Sequence, residues 1–206
     1  MNWIKLSLYG LQKVTRCLAK MSIAKPVRQL ISGPSSGPQE PYPLQMEGKV
    51  IHGFGRGSKD LGIPTANLPV DNGQTPWISG TDSGVYFGWA SLQLPLATET
   101  SSQPTTGFNI YPMVMSIGYN PFYGNTVRSA EVHVLHDFAG RDFYGVEMRL
   151  LILGFIRQER TYTSKQELID DIKMDCDVAR RSLEREAWSL RGTGKGKLDG
   201  SWLVRE

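Results

Sequence analysis

The most informative stretch of the chain reads Gly48-Lys-Val-Ile-His-Gly-Phe-Gly-Arg-Gly-Ser-Lys-Asp-Leu-Gly-Ile-Pro-Thr-Ala-Asn67. It begins as a short strand, continues as a glycine-rich loop with two cations, and ends on Pro-Thr-Ala-Asn. Closely spaced glycines let a ligand approach main-chain N–H groups, and a concavity of such groups binds anions, phosphates above all. On an extended segment, the side chains of Thr65 and Asn67 would project from the same face. The stretch fits a phosphate-binding loop, although its glycines alone slightly favour an ordinary turn.

Two named nucleotide-binding motifs are excluded in this loop. The phosphate loop requires Gly-Lys-Ser or Gly-Lys-Thr in that order, whereas the chain reads Gly57-Ser58-Lys59. The dinucleotide fingerprint requires a glycine where Ser58 stands, and no helix-like run follows it. Strand-like runs further along the chain do not alternate with helical ones, so a doubly wound sheet is also excluded.

Composition and charge exclude several classes of protein. The 206 residues include 23 Lys and Arg and 20 Asp and Glu. Six of the bases and none of the acids lie in residues 1–39, which leaves 17 bases against 20 acids in residues 40–206. The body of the protein is therefore mildly acidic, and a broad nucleic-acid footprint is not expected. Cys17 and Cys176 are too few for a disulfide framework or a thiolate zinc site, and no apolar run is long enough to span a bilayer.

The pattern through the body of the chain predicts an antiparallel sheet followed by one helix. Runs rich in β-branched and aromatic residues alternate with turn signals; they begin near Gly84, Tyr111, Arg128 and Phe143. The last run is interrupted by charges, as in a bent or edge strand, and residues 95–109 indicate a loop. Ser164-Lys-Gln-Glu167 fits a capping box, and apolar residues then recur every three or four positions as far as Leu183. We expect a closed or half-closed sheet with this helix packed on it.

Both ends of the chain are expected to lie outside the folded domain. Residues 1–31 form a basic amphipathic segment without acids, which is typical of a mitochondrial transit peptide. A membrane-surface helix has a similar pattern; an unstructured tail, or a stretch skipped by initiation at Met21 or Met46, fits equally well. Residues 32–45 predict a Pro/Gly/Ser linker with little means of burying itself. The folded domain is expected at residues 46–190, followed by a flexible tail at 191–206.

Outside the loop, the segment Ala130-Glu-Val-His-Val-Leu-His136 carries most of the candidate chemistry. Period-two alternation places Glu131 and His133 on one face of a strand, where they could line a mouth or simply be solvated. His133 and His136 are expected on opposite faces, which makes them a poor metal chelate. Arg157 and Arg160 precede the helix cap and could face an anion, or form a charged turn.

Several of these segments, taken in order, resemble riboflavin kinases of the eukaryotic, monofunctional type, and fungal members in particular. The resemblance covers about residues 48 to 185. It is carried by the loop ending in Pro64-Thr-Ala-Asn67 and by Gly84-Val-Tyr-x-Gly-Trp89, Ser116-Ile-Gly-x-Asn-Pro121, Glu131-Val-His-x-Leu-His136, Asp142-Phe-Tyr-Gly145 and Gly154-x-Ile-Arg157.

The resemblance implies a fold, a reaction and a set of site residues. The fold is a mainly β, six-stranded antiparallel Greek-key barrel with a C-terminal α-helix packed on it. The reaction is transfer of the γ-phosphoryl group of ATP to the 5′-hydroxyl of riboflavin, which gives FMN and ADP. Glu131 corresponds to the catalytic carboxylate, and Thr65 and Asn67 to residues that contact the metal ion and the phosphates. The nucleotide would also contact Gly53, Lys59, Val134, His136 and Tyr144, and the flavin would contact Arg157 and Arg160.

The resemblance also implies ATP as co-substrate and Mg²⁺ as metal, with Zn²⁺ or Mn²⁺ as alternatives. We expect a monomer in the cytoplasm or the mitochondrion, with no nucleic-acid partner and no transmembrane segment. Because residues 1–39 precede the matching region, we expect their deletion to leave activity intact. The alternative function is a barrel that binds flavin or nucleotide without turning it over; intact Glu131, Thr65 and Asn67 argue against it.

Overall fold

A computed structural model describes residues 28–52, 63–71, 73–95, 106–119 and 127–205. The amphipathic segment within residues 1–27, Gly53 and Lys59 lie outside these ranges. The described residues form six strands, one short 3-10 helix (Pro76–Gly80) and two α-helices. The strands are β1 (Leu44–Lys49), β2 (Ala66–Leu68), β3 (Gly84–Pro95), β4 (Thr106–Tyr119), β5 (Arg128–Val134) and β6 (Glu147–Gln158). The α-helices are α1 (Lys165–Leu183) and α2 (Ser201–Val204).

The strands form one antiparallel sheet in the order β1-β6-β3-β4-β5-β2. Its two outermost strands meet just beyond β1. There the N–H of Ile51 donates to the carbonyl of Asn67 at 2.9 Å, and the N–H of Asn67 donates to the carbonyl of Ile51 at 3.4 Å. The sheet therefore curls into a barrel, and the predicted six-stranded antiparallel barrel with a C-terminal helix is confirmed.

One strand boundary and one strand position differ from the prediction. β4 begins at Thr106, inside the segment predicted to be a loop as far as residue 109. β6 is a central strand between β1 and β3, so the alternative of an edge-exposed strand is wrong. Its bend is real, because the pairing of β3 with β6 shifts register at Val85/Tyr86 and at Phe87/Gly88. The charges that interrupt its sequence pair with β1 instead: Arg149 contacts Glu47 at 3.3 Å.

The core has two layers, one inside the barrel and one between the sheet and α1. The inner layer is filled by methionine and aliphatic side chains from every strand, among them Met46, Ile117, Val132 and Ile152. The outer layer joins Phe87, Leu151 and Leu153 of the sheet to Cys176, Ala179 and Leu183 of α1. The apolar stripe predicted for this helix therefore packs against the outer face of the barrel.

Helix α1 begins where the capping box predicts. The hydroxyl of Ser164 accepts a hydrogen bond from the N–H of Glu167 at 3.2 Å, which satisfies one of the free donors of the first turn. The carboxylate of Glu167 reaches back to the N–H of Thr163 at 3.2 Å, one residue before the position that the motif predicts. No helix in the described part of the chain is long and apolar enough to cross a membrane.

Residues 28–37, which we call the N-terminal strap, pack on α1 and on the end of β6. The N–H of Ser32 donates to Ser182 Oγ at 2.9 Å, and its hydroxyl donates to the carbonyl of Phe155 at 2.7 Å. Arg185 donates to the carbonyls of Gly33 and Pro34, each at 3.0 Å. Residues 32–45 are mostly exposed, but the strap is held in place, because side chains of the helix region satisfy the polar backbone that it cannot satisfy itself.

Glycine is required at position 33 of the strap. Its φ is +78°, and a Cβ there would lie 2.3 Å from the Trp188 ring. The close approach seats the strap on Trp188, whose indole N–H donates to the carbonyl of Pro34 at 3.0 Å.

The C-terminal segment predicted to be a flexible tail is also packed. Leu203 of α2 is fully buried in the outer layer, and Ser91 of β3 donates to its carbonyl at 2.7 Å. Trp202 donates to the carbonyl of Leu150 at 3.1 Å. The prediction of flexibility is wrong because it weighed the glycines of residues 192–200 and overlooked the apolar residues that follow them.

Candidate active site

The candidate site is built on one row of paired residues that crosses the outer face of the sheet. Asn67 pairs with Glu131, Glu131 with Ser116, Ser116 with Val85, and Val85 with Arg157. Directly paired residues of antiparallel strands project from the same face. Three strand spacings of about 4.8 Å separate the backbones of Glu131 and Arg157, so the row is about 14 Å long between them.

Glu131 and Thr65 meet at one end of this row. The Thr65 hydroxyl donates to Glu131 Oε1 at 2.5 Å, and both residues are partly buried. Asn67 lies opposite Glu131 in the β2–β5 pairing and is only 6% exposed. The Thr65 hydroxyl therefore lies against the carboxylate to which the resemblance assigns catalysis, and Asn67 is paired with the same residue across the two strands.

His133 holds the backbone next to Thr65. Its Nδ1 lies 2.7 Å from the carbonyl oxygen of Pro64, so Nδ1 carries the proton and donates. Burial lowers the pKa of His133 and nearby Arg180 lowers it further, while the bond to Pro64 acts in the opposite direction. The ring is therefore neutral near neutral pH. Sequence reasoning left His133 open as a solvated residue; its two-residue spacing from Glu131 was the available signal.

Two cavities meet at Thr65 and His133. The first, of about 380 Å³, lies between the sheet and the N-terminal half of α1, and we call it the helix-side cavity; Glu131 and Arg157 both line it. The second, of about 420 Å³, lies between the end of β5 and the segment before β6, and we call it the loop-side cavity. Thr65 and His133 line both cavities, so two ligands could approach each other there.

The loop-side cavity is lined by Val134, His136 and Tyr144, three of the nucleotide-contacting residues that the resemblance implies. Its walls are aromatic: Tyr144 stacks on His52 at 3.6 Å between ring centroids, and His136 lies 4.6 Å from the ring of Tyr111. Arg141 and Arg180 bring positive charge, which Asp137 and Asp142 of the same lining balance. The flat aromatic walls suit a purine base.

The expectation that His133 and His136 point to opposite faces of one strand does not apply, because His136 lies beyond the end of β5, and both residues line the loop-side cavity. β5 ends at Val134, and the N–H of His136 bonds back to the carbonyl of Val134 at 2.8 Å. This tight turn ends the alternation on which the expectation relied.

Arg157 and Arg160 line the far end of the helix-side cavity and are held by two aspartates of α1. Arg157 makes a two-pronged contact with Asp175, with Nε 3.0 Å from Oδ1 and Nη2 2.7 Å from Oδ2. Arg160 lies 3.3 Å from Asp171, and Tyr162 donates to the same carboxylate at 2.8 Å. The alternative of a solvated charged turn does not hold for Arg157, whose side chain is 9% exposed.

The charges of this group stabilise one another. Burial opposes ionisation of Asp171, but the Tyr162 hydroxyl and the surrounding arginines outweigh it and lower the pKa of the carboxyl. Burial also opposes the charge of Arg157, yet the bond to Asp175 leaves its pKa raised. Burial and the bond to Asp171 raise the pKa of Tyr162 to about 12. Sequence reasoning missed Tyr162, Asp171 and Asp175; two acids four apart on a helix were the available signal.

The donors around Glu131 suit a hard divalent cation. Thr65, Asn67 and Glu131 offer hydroxyl, amide and carboxylate oxygens, the ligand types that Mg²⁺ prefers. Within the described ranges no three His, Cys, Asp or Glu side chains cluster as metal ligands. The residues present therefore fit a metal that the nucleotide largely carries, with few ligands from the protein.

Both the sequence and the fold are similar to known proteins. Residues 40–183 match the family model described as Riboflavin kinase. A riboflavin kinase from Pyricularia oryzae is 60% identical over 190 residues, which cover 86% of this chain and 94% of that protein. One from Neurospora crassa is 49% identical over an alignment of 239 residues, which covers 90% of this chain and 100% of that protein. The crystal structure of riboflavin kinase from Trypanosoma brucei has a TM-score of 0.54 and 30% identity, covering 71% of this chain and 83% of that one.

Proposed function

The chain belongs to the riboflavin kinase family and phosphorylates riboflavin to FMN with ATP and a divalent metal; on this premise, we propose that its two cavities hold the two substrates. Riboflavin occupies the helix-side cavity and ATP the loop-side cavity. Glu131 acts as the catalytic base where they meet. The observation that carries this assignment is the contact of Thr65 with Glu131 at the junction of the cavities.

The shape of the helix-side cavity supports riboflavin with its 5′-hydroxyl towards Glu131. The hydroxyl and the polar edge of the ring lie at opposite ends of the flavin molecule. A flavin oriented in this way extends along the row of paired residues and brings its ring to Arg157 and Arg160. Guanidinium groups donate to ring carbonyl oxygens and stack on flat rings, which gives these two arginines a role in flavin binding.

In this arrangement Glu131 acts as the general base for the riboflavin 5′-hydroxyl. Its carboxylate accepts the proton of the riboflavin 5′-hydroxyl, the oxygen forms its bond to the γ-phosphorus, and the bond from that phosphorus to the β,γ-bridging oxygen breaks to release ADP. The Thr65 hydroxyl, which donates to Glu131 in this structure, turns towards the phosphates when the substrates are present. Phosphoryl transfer depends mainly on alignment and charge neutralisation, which this junction provides.

Thr65 and Asn67 are the protein ligands that we propose for the metal, and Mg²⁺ is the metal that we propose. When bound, it neutralises charge on the transferred phosphoryl group. Gly53 and Lys59, which lie outside the described residues, complete the phosphate contacts in this proposal. Zn²⁺ as a preferred metal is disfavoured by the ligands, because Thr65 and Asn67 offer oxygen donors, whereas zinc prefers sulfur and nitrogen, and Cys176 lines neither cavity.

Two further parts of the proposal concern the whole protein. We infer a monomer, because residues of one chain line both cavities. For the cellular location, cytoplasm or mitochondrion, we propose that any targeting signal ends before Arg28, where the packed strap begins. A fusion of residues 1–27 to a fluorescent protein tests targeting directly, and a diffuse signal would assign the enzyme to the cytoplasm.

The test of the assignment is FMN formation by Glu131→Gln. Incubation with riboflavin and Mg-ATP, followed by chromatographic detection of FMN, should show turnover by the wild type and at least a thousandfold loss in the variant, with ATP binding retained. Glu147→Gln, at an exposed β6 carboxylate that pairs with Lys49, is the matched control and should retain activity. Turnover by Glu131→Gln near the wild-type rate would remove Glu131 from its role.

A further inference from the structure

Arg28, at the start of the N-terminal strap, reaches the charged end of the helix-side cavity. Its Nη1 donates to Asp171 Oδ1 at 2.8 Å, and its Nη2 contacts Asp175 Oδ1. Only 17% of the Arg28 side chain is exposed, and Asp175 is 2% exposed. The contact spans more than 140 residues of sequence, and Arg28 itself lies outside residues 40–183, which match the family model.

Arg28 is the third cation in contact with the two aspartates. Asp171 and Asp175 lie one turn apart on α1, where like charges repel. Arg157 is committed mainly to Asp175, and Arg160 lies 3.3 Å from Asp171 with 47% of its side chain exposed. Arg28 bridges both carboxylates with its two terminal nitrogens, as the planar guanidinium fork allows. The group then holds three arginines against two aspartates, a net charge of +1.

Arg28 shares its acceptor atoms with the two arginines that line the cavity. Asp175 Oδ1 accepts from Arg28 and from Arg157 Nε, and Asp171 Oδ1 accepts from Arg28 and from Arg160 Nη1 at 3.4 Å. Arg28 itself is absent from the cavity lining, whereas Arg157 and Arg160 are part of it. A change at Arg28 therefore reaches a ligand only through the position and charge of those two side chains.

We propose that Arg28 is a positioning residue of the flavin site, so that the N-terminal strap is part of riboflavin binding. This inference rests on the proposed placement of riboflavin in the helix-side cavity. With Arg28 in place, the aspartates are compensated and the donors of Arg157 and Arg160 are available to the flavin ring. Without Arg28, only Arg157 and Arg160 face the two aspartates, and the net charge of the group falls to zero. Both arginine side chains are then drawn towards α1.

Arg28 is expected to affect the binding of riboflavin but not that of the nucleotide in the loop-side cavity. Arg28 contacts neither Glu131 nor any lining residue of that cavity among the described side chains. Its loss should therefore weaken riboflavin binding and leave nucleotide binding unchanged. In kinetic terms, the KM for riboflavin rises while kcat and the KM for Mg-ATP stay constant. This pattern is expected when the lost interaction stabilises the ground state and the transition state equally.

The experiment compares Arg28→Gln, Arg28→Lys and Arg185→Gln in the full chain. We expect Arg28→Gln to raise the riboflavin KM about three- to tenfold, since only part of a charge-assisted hydrogen bond's contribution reaches the ligand. The riboflavin Kd, measured by quenching of flavin fluorescence, should rise by the same factor. Arg28→Lys keeps the charge but cannot bridge both carboxylates, so its KM should be intermediate.

Arg185→Gln is the control for strap docking. Arg185 binds the carbonyls of Ser32, Gly33 and Pro34 and does not contact Asp171 or Asp175. It should lower the Tm and raise the riboflavin KM less than Arg28→Gln does, because Arg28 keeps its own contacts with both aspartates. An unchanged KM in a folded Arg28→Gln variant overturns the inference, and so does an equal rise in Arg185→Gln. Absence of FMN in the wild type would instead contradict the proposed function.

Discussion

Thr65 donates to Glu131 in this structure, and we propose that its hydroxyl turns towards the phosphates when substrates bind. Thr65→Val removes the hydroxyl while keeping the branched shape, and we expect kcat/KM for Mg-ATP to fall about a hundredfold, the usual scale for losing one positioned polar group at a reacting centre. Steady-state kinetics at varied Mg-ATP measures the loss. Thr65→Ser keeps the hydroxyl and should remain within a few-fold of wild type. If both variants were equally active, the hydroxyl would have no role.

Asn67 tests the metal assignment at the same scale. Asn67→Ala removes an amide oxygen from beside Glu131, and because we propose few protein ligands, the Mg²⁺ concentration for half-maximal activity should rise about tenfold. Titration of activity with Mg²⁺ at fixed total ATP gives this value. Asn109→Ala on β4, whose amide bonds to the carbonyl of Gly107, is the control. An unchanged Mg²⁺ requirement in Asn67→Ala would contradict the assignment.

The lowered pKa of His133 predicts that the stability of the folded protein depends on pH. Its pKa is lowered from the ordinary 6.5 on folding, so below that pH the unfolded chain binds a proton more readily than the folded protein does. The free energy of unfolding therefore falls as the pH drops through about 6.5 towards the folded-state pKa. His133→Asn keeps an N–H donor for Pro64 but does not titrate. Urea titrations between pH 8 and pH 5 should show a smaller loss for the variant, and parallel curves would contradict the prediction.

At the scale of elements, the contact of β3 with β6 fixes the geometry of the row that carries Arg157. A Cβ at Gly88 would lie 2.0 Å from the carbonyl oxygen of Leu151 and 3.0 Å from the Cα of Ile152. Backbone atoms cannot move aside, so Gly88→Ala should lower the free energy of unfolding by about 3 kcal/mol, the upper part of the range for overpacking. Denaturant titration measures it. At Gly80 a Cβ meets nothing within 4 Å, so a similar loss in Gly80→Ala would contradict this explanation.

The elements also show which parts of the fold could be predicted. Local signals were sufficient for α1, whose capping serine and apolar stripe are adjacent in sequence, and for the face shared by Glu131 and His133. The pairing of Asn67 with Glu131 joins residues 64 positions apart, and no local pattern encodes it; the ordered motifs of the family supplied that proximity. The arginine–aspartate group was missed because its members come from the strap, β6 and α1, and each looked like a surface charge in its own segment.

At the scale of the whole molecule, the barrel, α1 and the strap form one packed unit around the helix-side cavity. The sequence missed the contacts at the two ends for one reason: composition reports how much apolar surface a segment can bury but not whether distant side chains will bond to its backbone. Residues 32–34 contain no large apolar side chain and are nevertheless fixed by a bond from the Ser32 N–H to Ser182 and by bonds from Arg185 and Trp188.

Two truncations separate the strap from the residues that precede it. Removal of residues 1–27 keeps Arg28 and every described contact, so the riboflavin KM and the Tm should match those of the full chain. Removal of residues 1–39 takes away Arg28 and the bonds to Ser182, Arg185 and Trp188, so the Tm should fall by several degrees and the riboflavin KM should rise, with the KM for Mg-ATP unchanged. Thermal unfolding and steady-state kinetics on both proteins measure these values. Wild-type kinetics after removal of residues 1–39 would restore the expectation from sequence that the extension is dispensable, and would limit the flavin site to the barrel and α1.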